Sequence, residues 1–482
     1  MVDVAVVGSG PNGLAAALTM ARAGLSVGVY EAAGSAGGGM RTAELTLPGF
    51  LHDVCSAVHP MALASPFFQA FELAKRIELV VPDISYAHPL DGGRAGIAYR
   101  DLAQTAQALG VDGKPWRALM DPLLDRLDGV IDFTQNGLLR VPRDPVAALK
   151  FGLRTLEQGT PAWNLRFRGD TAPAMMTGVA AHAIGRLPGL ATSGAGLLLG
   201  ALAHAGGWPV PRGGSQAMAQ AMVADLLAHG GIIELNTPVT SIAELRAATG
   251  ARAVICNVAP RALIAMAGTE LPPRYRRQLE SFRYGAGVCK VDFALSGPVP
   301  WTNPELHRAP TLHLGGTRAA IARAEAAVLS GRHPGDPYVL VAQPGVVDAS
   351  RAPAGKHTLW AYTHVPAGSR QDQSDAIIAQ VERFAPGFRD LILATHVATA
   401  HDVGAYNPNY VGGDISSGAV TLAQLLKRPV VAVEPWRTPV PGLYLGSAST
   451  PPGPAVHGMG GWFAARSALH HTFGLPVPHL GV

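Results

Sequence analysis

Cysteine is nearly missing from this chain: Cys55, Cys256 and Cys289 are the only thiols in 482 residues. No two are spaced as CxxC or CxxxxC, which excludes a redox dithiol and a cysteine zinc site and suits a reducing compartment. All three read as small buried apolar residues. Charge is scarce too. Charged residues make up 15% of the chain against 48% hydrophobic, where roughly 25% charged is usual for a globular protein. Large cores are therefore expected and disorder is not. The 17 histidines contain no HxH or HExxH arrangement, so no metal site is expected. A net charge of +4 is too small and too diffuse to argue for nucleic acid. The start of the chain lacks a basic segment ahead of its apolar run, so a signal peptide is not expected and a cytoplasmic location is. A long stretch without Asp, Glu, Lys or Arg, Leu187–Pro211, holds Pro188 and six glycines. A buried channel wall suits it better than a membrane span.

What the sequence does have begins at once. Val2–Val7 is a short apolar run of the kind that forms a parallel strand buried on both faces. Gly8-Ser9-Gly10-Pro11-Asn12-Gly13 follows, then Leu14, Ala17, Leu18 and Ala21 at helical spacing, Gly24 as the helix stop, and Ser26–Tyr30 as a second strand ending at Glu31. In such a turn Gly8 permits the tight bend, Gly10 lets backbone approach a pyrophosphate, and Gly13 lets the helix pack closely on the strand. The helix start offers free N–H groups to phosphate. Glu31, 18 residues after Gly13, can accept from ribose hydroxyls and would repel a 2′-phosphate. The glycine motif alone is weak evidence; the strand, helix and acid around it make a dinucleotide site the expectation.

Glu31 is followed by Ala-Ala-Gly-Ser-Ala-Gly37-Gly38-Gly39-Met40-Arg41-Thr42. This resembles the E-x5-GG-x3-T signature of the flavin amine oxidase and phytoene desaturase superfamily, and the resemblance implies FAD. It extends through Val210-Pro-Arg-Gly-Gly-Ser215, the helix Gln216–His229, the strand Ile232–Leu235 and Asn236-Thr-Pro-Val239, similar to the family segment whose valine clasps adenine. Val254–Asn257 is similar to the strand returning to the cofactor domain. At the C-terminal end, Gly442–Gly446 is similar to the last strand, Thr450–Gly461 to the loop under the flavin, and Trp462–Leu469 to the closing helix. Tyr406-Asn-Pro-Asn-Tyr-Val-Gly-Gly-Asp414 and the Thr-Pro-Pro-Gly loop resemble the phytoene desaturase-like branch, which includes the pyridine nucleotide-disulfide oxidoreductase domain-containing proteins. The cofactor-binding positions this implies are Gly8, Gly10, Gly13, Glu31, Gly38, Gly39, Arg41, Thr42, Val239, Gly446, Val456, Gly458 and Met459. One departure stands out: superfamily members usually carry Arg after the GG pair, and here that position is Gly39, with Arg41 two residues on.

Two catalytic candidates follow. Lys290, in Gly285–Leu295, resembles the amine oxidase strand whose lysine holds a water at flavin N5; a solvent-facing strand lysine is the other reading. His457, in the flavin loop, reads either as a flavin hydrogen-bond partner and acid/base or as a cap on a loop carbonyl. His52 and Asp53 are adjacent, so on a strand they face opposite ways. Gly213-Gly-Ser215-Gln-Ala217 nearly mimics a GxSxG nucleophile elbow but ends in alanine. Arg140, Arg143, Lys150, Arg154, Arg166 and Arg168 outnumber Asp144 and Glu157, with Trp163 and Phe167 interleaved. They suit either an anionic membrane surface or a solvated helical cap.

The expected fold is α/β, with a discontinuous Rossmann-type FAD-binding domain (1–75, 206–266 and 429–482). It is interleaved with a substrate domain of mixed sheet plus helical cap (76–205 and 267–428). The resemblance implies an FAD-dependent oxidoreductase that dehydrogenates a hydrophobic, isoprenoid- or lipid-like substrate by hydride transfer to flavin N5. No second strand–GxGxxG–helix occurs, and Gly315-Gly316-Thr317 imitates one poorly, so a diffusible acceptor such as oxygen or a quinone is expected. The alternatives are an isomerase using reduced FAD without net redox, or a prenyl- or lipid-binding escort of the GDP-dissociation-inhibitor type. Substrate identity and oligomeric state stay open.

Overall fold

The computed structural model describes residues 1–482. The apolar run at the chain start forms the strand Val4–Val7, and the helix Pro11–Arg22 follows with Gly24 at φ +82° just beyond its end. Val4–Val7 lies at the centre of a five-stranded parallel sheet. The order is Leu443–Leu445, Ala253–Cys256, Val4–Val7, Val27–Tyr30, Ile232–Glu234. Every residue of its three middle strands is buried, as expected for a parallel sheet covered on both faces.

Chain ends meet on one side of this sheet. The helix Met459–Ala468 crosses Pro11–Arg22 so closely that a Cβ on Gly461 would lie 1.6 Å from the Asn12 carbonyl. Gly461 N–H donates to Asn12 Oδ1 at 3.4 Å. This helix starts three residues before the expected Trp462. Gly458, at φ +70°, makes the turn into it, and Gly460 and Gly461 belong to its first turn because only glycine allows the crossing.

A second, seven-stranded sheet runs Ile392–Ala398, Gly287–Leu295, His357–Val365, Val339–Ala342, Thr311–Leu314, Ile84–Leu90, Arg94–Tyr99. It is antiparallel except where Thr311–Leu314 meets Ile84–Leu90 in parallel. One face is mainly apolar: Val291, Phe293, Leu359, Ala361, Val341 and Leu312 pack with Ile377, Val381 and Phe384 of the helix Ser374–Phe384. The other face is polar and aromatic. Helices drawn from 102–204 cover that side, and among them Leu190–His204 accounts for most of the uncharged stretch. No helix is long and apolar enough to cross a membrane.

Candidate functional site

The Glu31 carboxylate is held from both sides. Its Oε2 accepts the N–H and hydroxyl of Ser9 at 2.8 and 2.6 Å, and its Oε1 accepts the Ala33 N–H at 2.9 Å. The segment Glu234–Thr237 runs beside it, with Thr237 N–H donating to the Glu31 carbonyl at 2.8 Å, and this carries half-buried Val239 to the same end of the sheet. Gly13 is fixed by packing, since a Cβ there would lie 1.9 Å from the Gly8 carbonyl. With its amide oxygen turned to the loop, Asn257 accepts from the N–H groups of Gly10 and Gly13 at 3.2 Å each. The sequence reading placed Asn257 only as a strand end. An amide-bearing residue directly after a parallel strand that neighbours the glycine loop was the available signal.

Gly38, at φ +55°, rests on the glycine loop: a Cβ would lie 2.9 Å from Gly10 Cα. Gly39 has a neighbour that explains the departure from the family pattern. A Cβ there would lie 2.7 Å from the Tyr410 hydroxyl, so Tyr410 of the Tyr406–Asp414 motif occupies the space an arginine would enter. Arg41 does not point back toward the glycine loop. Its guanidinium donates to the Ser35 carbonyl at 2.6 and 3.1 Å and to the Tyr406 hydroxyl at 3.1 Å, and lies 3.4 Å from Glu31. Thr42 braces the fold: its hydroxyl donates to Asp53 at 2.7 Å and accepts the Gln216 N–H at 3.1 Å. Ser215 is wholly buried, 2.7 Å from His59 Nε2, and donates to the Ser56 carbonyl, so the near-elbow is a cross-brace.

Lys290 is buried, not solvent-facing. Register fixes its face: Lys290 pairs with Tyr362, Asp292 with Trp360, and Val288 with His364. The same face continues through Thr311 and His313 to Tyr86 and His88. The Lys290 ammonium forms an ion pair with Asp292 and lies 5.3 Å from the centre of the Trp360 ring. The other Asp292 oxygen is 3.5 Å from His396, which is partly exposed, and His52 Nδ1 stands 3.6 Å from Asp292. Burial pushes His52 down to about 4, so its ring is neutral. As adjacency in a strand predicts, His52 faces Asp292 while Asp53 faces Thr42, Ser215 and Arg351.

The loop before the closing helix holds the remaining residues. A Cβ on Gly446 would lie 2.7 Å from that of Ala464, and one on Gly458 would lie 2.4 Å from the Phe67 ring, so both glycines are required by packing. Half-buried Val456 packs against the apolar cluster formed where the helices Pro11–Arg22 and Met459–Ala468 meet. His457 has both ring nitrogens engaged: Nε2 bonds the Gly453 carbonyl at 3.1 Å, and Nδ1 accepts the Met459 N–H at 3.0 Å. Burial lowers it to about 4. Beside the loop lies Arg428, which the sequence did not single out. It donates to the Ala448 carbonyl at 2.7 Å and to that of Ser416 at 2.7 Å, and burial lowers it to about 10 despite Asp414.

Two observations test whether this frame fits a flavin dinucleotide. The helix from Pro11 has no acid in its first turn, and Asn257, which takes the Gly10 and Gly13 N–H groups, is uncharged, so the positive end of the helix lacks a counter-charge and favours an anion there. Nη1 of Arg428, next to the Ala448 loop, and Nε1 of Trp360, next to Lys290, are buried donors without a protein partner. Such donors are rare in a finished fold. A ring bearing carbonyl and nitrogen acceptors is the chemistry they call for, so the residues fit FAD.

A family model described as flavin containing amine oxidoreductase matches residues 12–461. The pyridine nucleotide-disulfide oxidoreductase domain-containing protein 2 of Rattus norvegicus is 25% identical, over 98% of this chain and 93% of its own length. Among solved structures, an oxidoreductase from Methanosarcina mazei aligns with a TM-score of 0.61 at 15% identity, covering 97% of this chain and 99% of that one. A triple mutant of putrescine oxidase aligns with a TM-score of 0.61 at 17% identity, covering 97% and 98%. At these identities the structural likeness is one of fold.

Proposed function

Because this chain belongs to the flavin containing amine oxidoreductase family and binds FAD, we propose that it dehydrogenates a hydrophobic, uncharged substrate on the polar and aromatic face of the seven-stranded sheet. Bound FAD supplies the hydride acceptor. The observation that carries the substrate class is that Asp292, the carboxylate on this face, is already paired with Lys290, while Glu325 beside it already bonds the His364 ring. A substrate ammonium would need an unpaired carboxylate there, since a buried charge without a partner is strongly unfavourable. Trp360, Tyr362 and Tyr86 are buried aromatics on this face, the side chains suited to pack on an isoprenoid- or lipid-like group.

In this reading the turn Gly8, Gly10 and Gly13 receives the pyrophosphate, and Glu31 and Val239 serve the adenosine end. Arg41 acts there too, through its place beside Glu31. Gly38, Gly39 and Thr42 shape the turn over the glycine loop, and Gly446, Val456, Gly458 and Met459 shape the loop beside the ring. Lys290, fixed by Asp292, holds a water or a proton at the substrate face. His457, with both nitrogens committed, positions the loop and transfers no proton. Electrons leave to oxygen or a quinone.

The test is anaerobic incubation of the purified oxidised holoenzyme with separate panels of isoprenoids, fatty acyl compounds and amines. Bleaching of the visible flavin absorption by an isoprenoid or acyl compound is the expected result. Bleaching by amines alone would overturn the substrate class, and turnover without acceptor consumption would replace dehydrogenation by isomerisation.

A further inference from the structure

The helix Pro145–Gly159 buries Ala147, Phe151 and Gln158 against its neighbours, with Gly159 allowing close contact with Leu190–His204. Its opposite side is not covered. Val146, Leu149, Leu153 and Leu156 fall at helical spacing on one stripe and are 47–62% exposed. Leu139 and Val141 precede the stripe and Leu165 follows it, the last two 84% exposed. Seven of the 22 large hydrophobic side chains exposed anywhere on the molecule thus lie within residues 139–165. Isolated exposed leucines are ordinary, but a contiguous patch marks a surface meant to be covered.

Charge says by what. Residues 136–169 carry six cations and two acids, a net +4 equal to the formal charge of the whole chain, so the rest of the molecule sums to neutral. The ion pairs leave that surplus at the surface. Asp132 is shared by Arg140 and Arg143, Glu157 is shared by Arg154 and Arg166, Asp144 pairs with Arg126, and Lys150 and Arg168 have no acidic partner. An apolar stripe flanked by unneutralised cations is the pattern of a helix lying in an anionic lipid interface. A second copy of this chain would bring like charge against like charge.

We propose that the helix Pro145–Gly159, with the flanking Leu139–Val141 and Leu165, docks the protein onto the surface of an anionic lipid bilayer. The docked face is two helices away from the proposed substrate face. Pro145–Gly159 packs on Leu190–His204, which packs on Thr171–Ala180, whose Gly178 carbonyl accepts the Tyr338 hydroxyl at 3.0 Å. The docking does not rest on the substrate assignment.

The test is sedimentation of the full-length holoprotein with phosphatidylcholine vesicles, with and without phosphatidylserine. Binding to the anionic vesicles, weakened by salt, is expected. Leu149→Asp/Leu153→Asp should abolish it, and Lys150→Ala and Arg168→Ala should each lower the partition coefficient about fivefold. Thermal unfolding and flavin content, measured alongside, should stay those of the wild type because Leu149, Leu153 and Arg168 are exposed and Lys150 is only half-buried. No sedimentation with either vesicle, or sedimentation unchanged in the leucine variant, overturns the proposal. So does a wild-type oligomer that this variant dissociates, since the patch would then be a self-association face. Vesicle binding is read without turnover, so loss of the substrate assignment would leave this result standing.

Discussion

Lys290 and Asp292 stand two residues apart on one strand, and their side chains meet as an ion pair on the buried polar face of the seven-stranded sheet. Burial alone would raise the Asp292 carboxyl. Lys290, His396 and His52 more than offset that and hold it below its ordinary value. The sign follows from linkage: a carboxyl depressed in the folded state contributes stability above its unfolded value of 3.8, and that contribution is lost as pH falls through the folded value. Asp292→Asn leaves the Lys290 ammonium buried without a counter-ion and should cost about 3 kcal/mol of unfolding free energy. Lys290→Met/Asp292→Leu should recover most of that stability in denaturant titrations while leaving turnover abolished. Recovery of activity in the double variant would remove Lys290 from the chemistry.

Neutral buried histidines give the molecule an acid limit. Burial lowers His52, His59, His88, His204 and His457 to about 4 and His182 to about 3, all from 6.5. Between 6.5 and these values the unfolded chain binds protons that the folded chain refuses, so stability falls as pH falls through that window. Melting temperature should be level from pH 8 to about 7 and drop steeply from about 6 to 4.5, with uptake of several protons on unfolding. A flat profile across that interval would contradict the buried, neutral state of this set.

The parallel sheet and its glycine loop were legible because their determinants are local: an apolar strand, a turn only glycine can make, and an acid at fixed distance. The polar face of the second sheet was not. Strand alternation puts Lys290 on the same face as Asp292 and Val288 but cannot say whether that face is wet, and pairing with Trp360, Tyr362 and His364 decides it. Arg351 was invisible for the same reason, since it meets Asp53, 298 residues away; Arg428 binds the Ser416 and Ala448 carbonyls, 12 and 20 residues away, through loops whose closure no local pattern fixes. His457 falls in the loop before the closing helix, but its bonds to Gly453 and Met459 depend on how that loop closes.

Gly39 and Tyr410 form a testable exchange. The Tyr410 hydroxyl lies 2.7 Å from where a Gly39 Cβ would sit, and Tyr410 is itself held by the motif that ends at Asp414. Gly39→Ala should lower stability by about 1–3 kcal/mol through overpacking. In a Tyr410→Phe background the hydroxyl is gone, and the same substitution should lose less than half as much. Equal losses in both backgrounds, read from chemical unfolding midpoints, would mean that something other than the hydroxyl excludes a side chain there.

Arg351 pins the two sheets' halves of the molecule to one another. Its guanidinium is fully buried, with Nη1 on Asp53 at 2.9 Å, Nε on Asp348 at 2.8 Å and Nη2 on the Pro211 carbonyl at 3.3 Å. Asp53 in turn accepts from the Thr42 hydroxyl and the Ser215 N–H, and Asp348 accepts from the Gly213 N–H. Arg351 is thus the buried cation shared by both acids, with half-exposed Arg212 3.6 Å from Asp348 on the outer side, and it fixes the segment before the Gln216–Ala228 helix against the GG turn. Arg351→Met would leave two carboxylates buried together, and the loss should be about 3–5 kcal/mol, with flavin released at lower denaturant than in the wild type. Protonation offers a check on that cause. If uncompensated charge is what unfolds Arg351→Met, adding Asp53→Asn and Asp348→Asn should restore a large part of the stability, because the amides keep the hydrogen-bond acceptors and remove both charges. If the triple variant is no more stable than Arg351→Met, the guanidinium acts through its packing and its bond to Pro211, and charge compensation is not what holds the halves together.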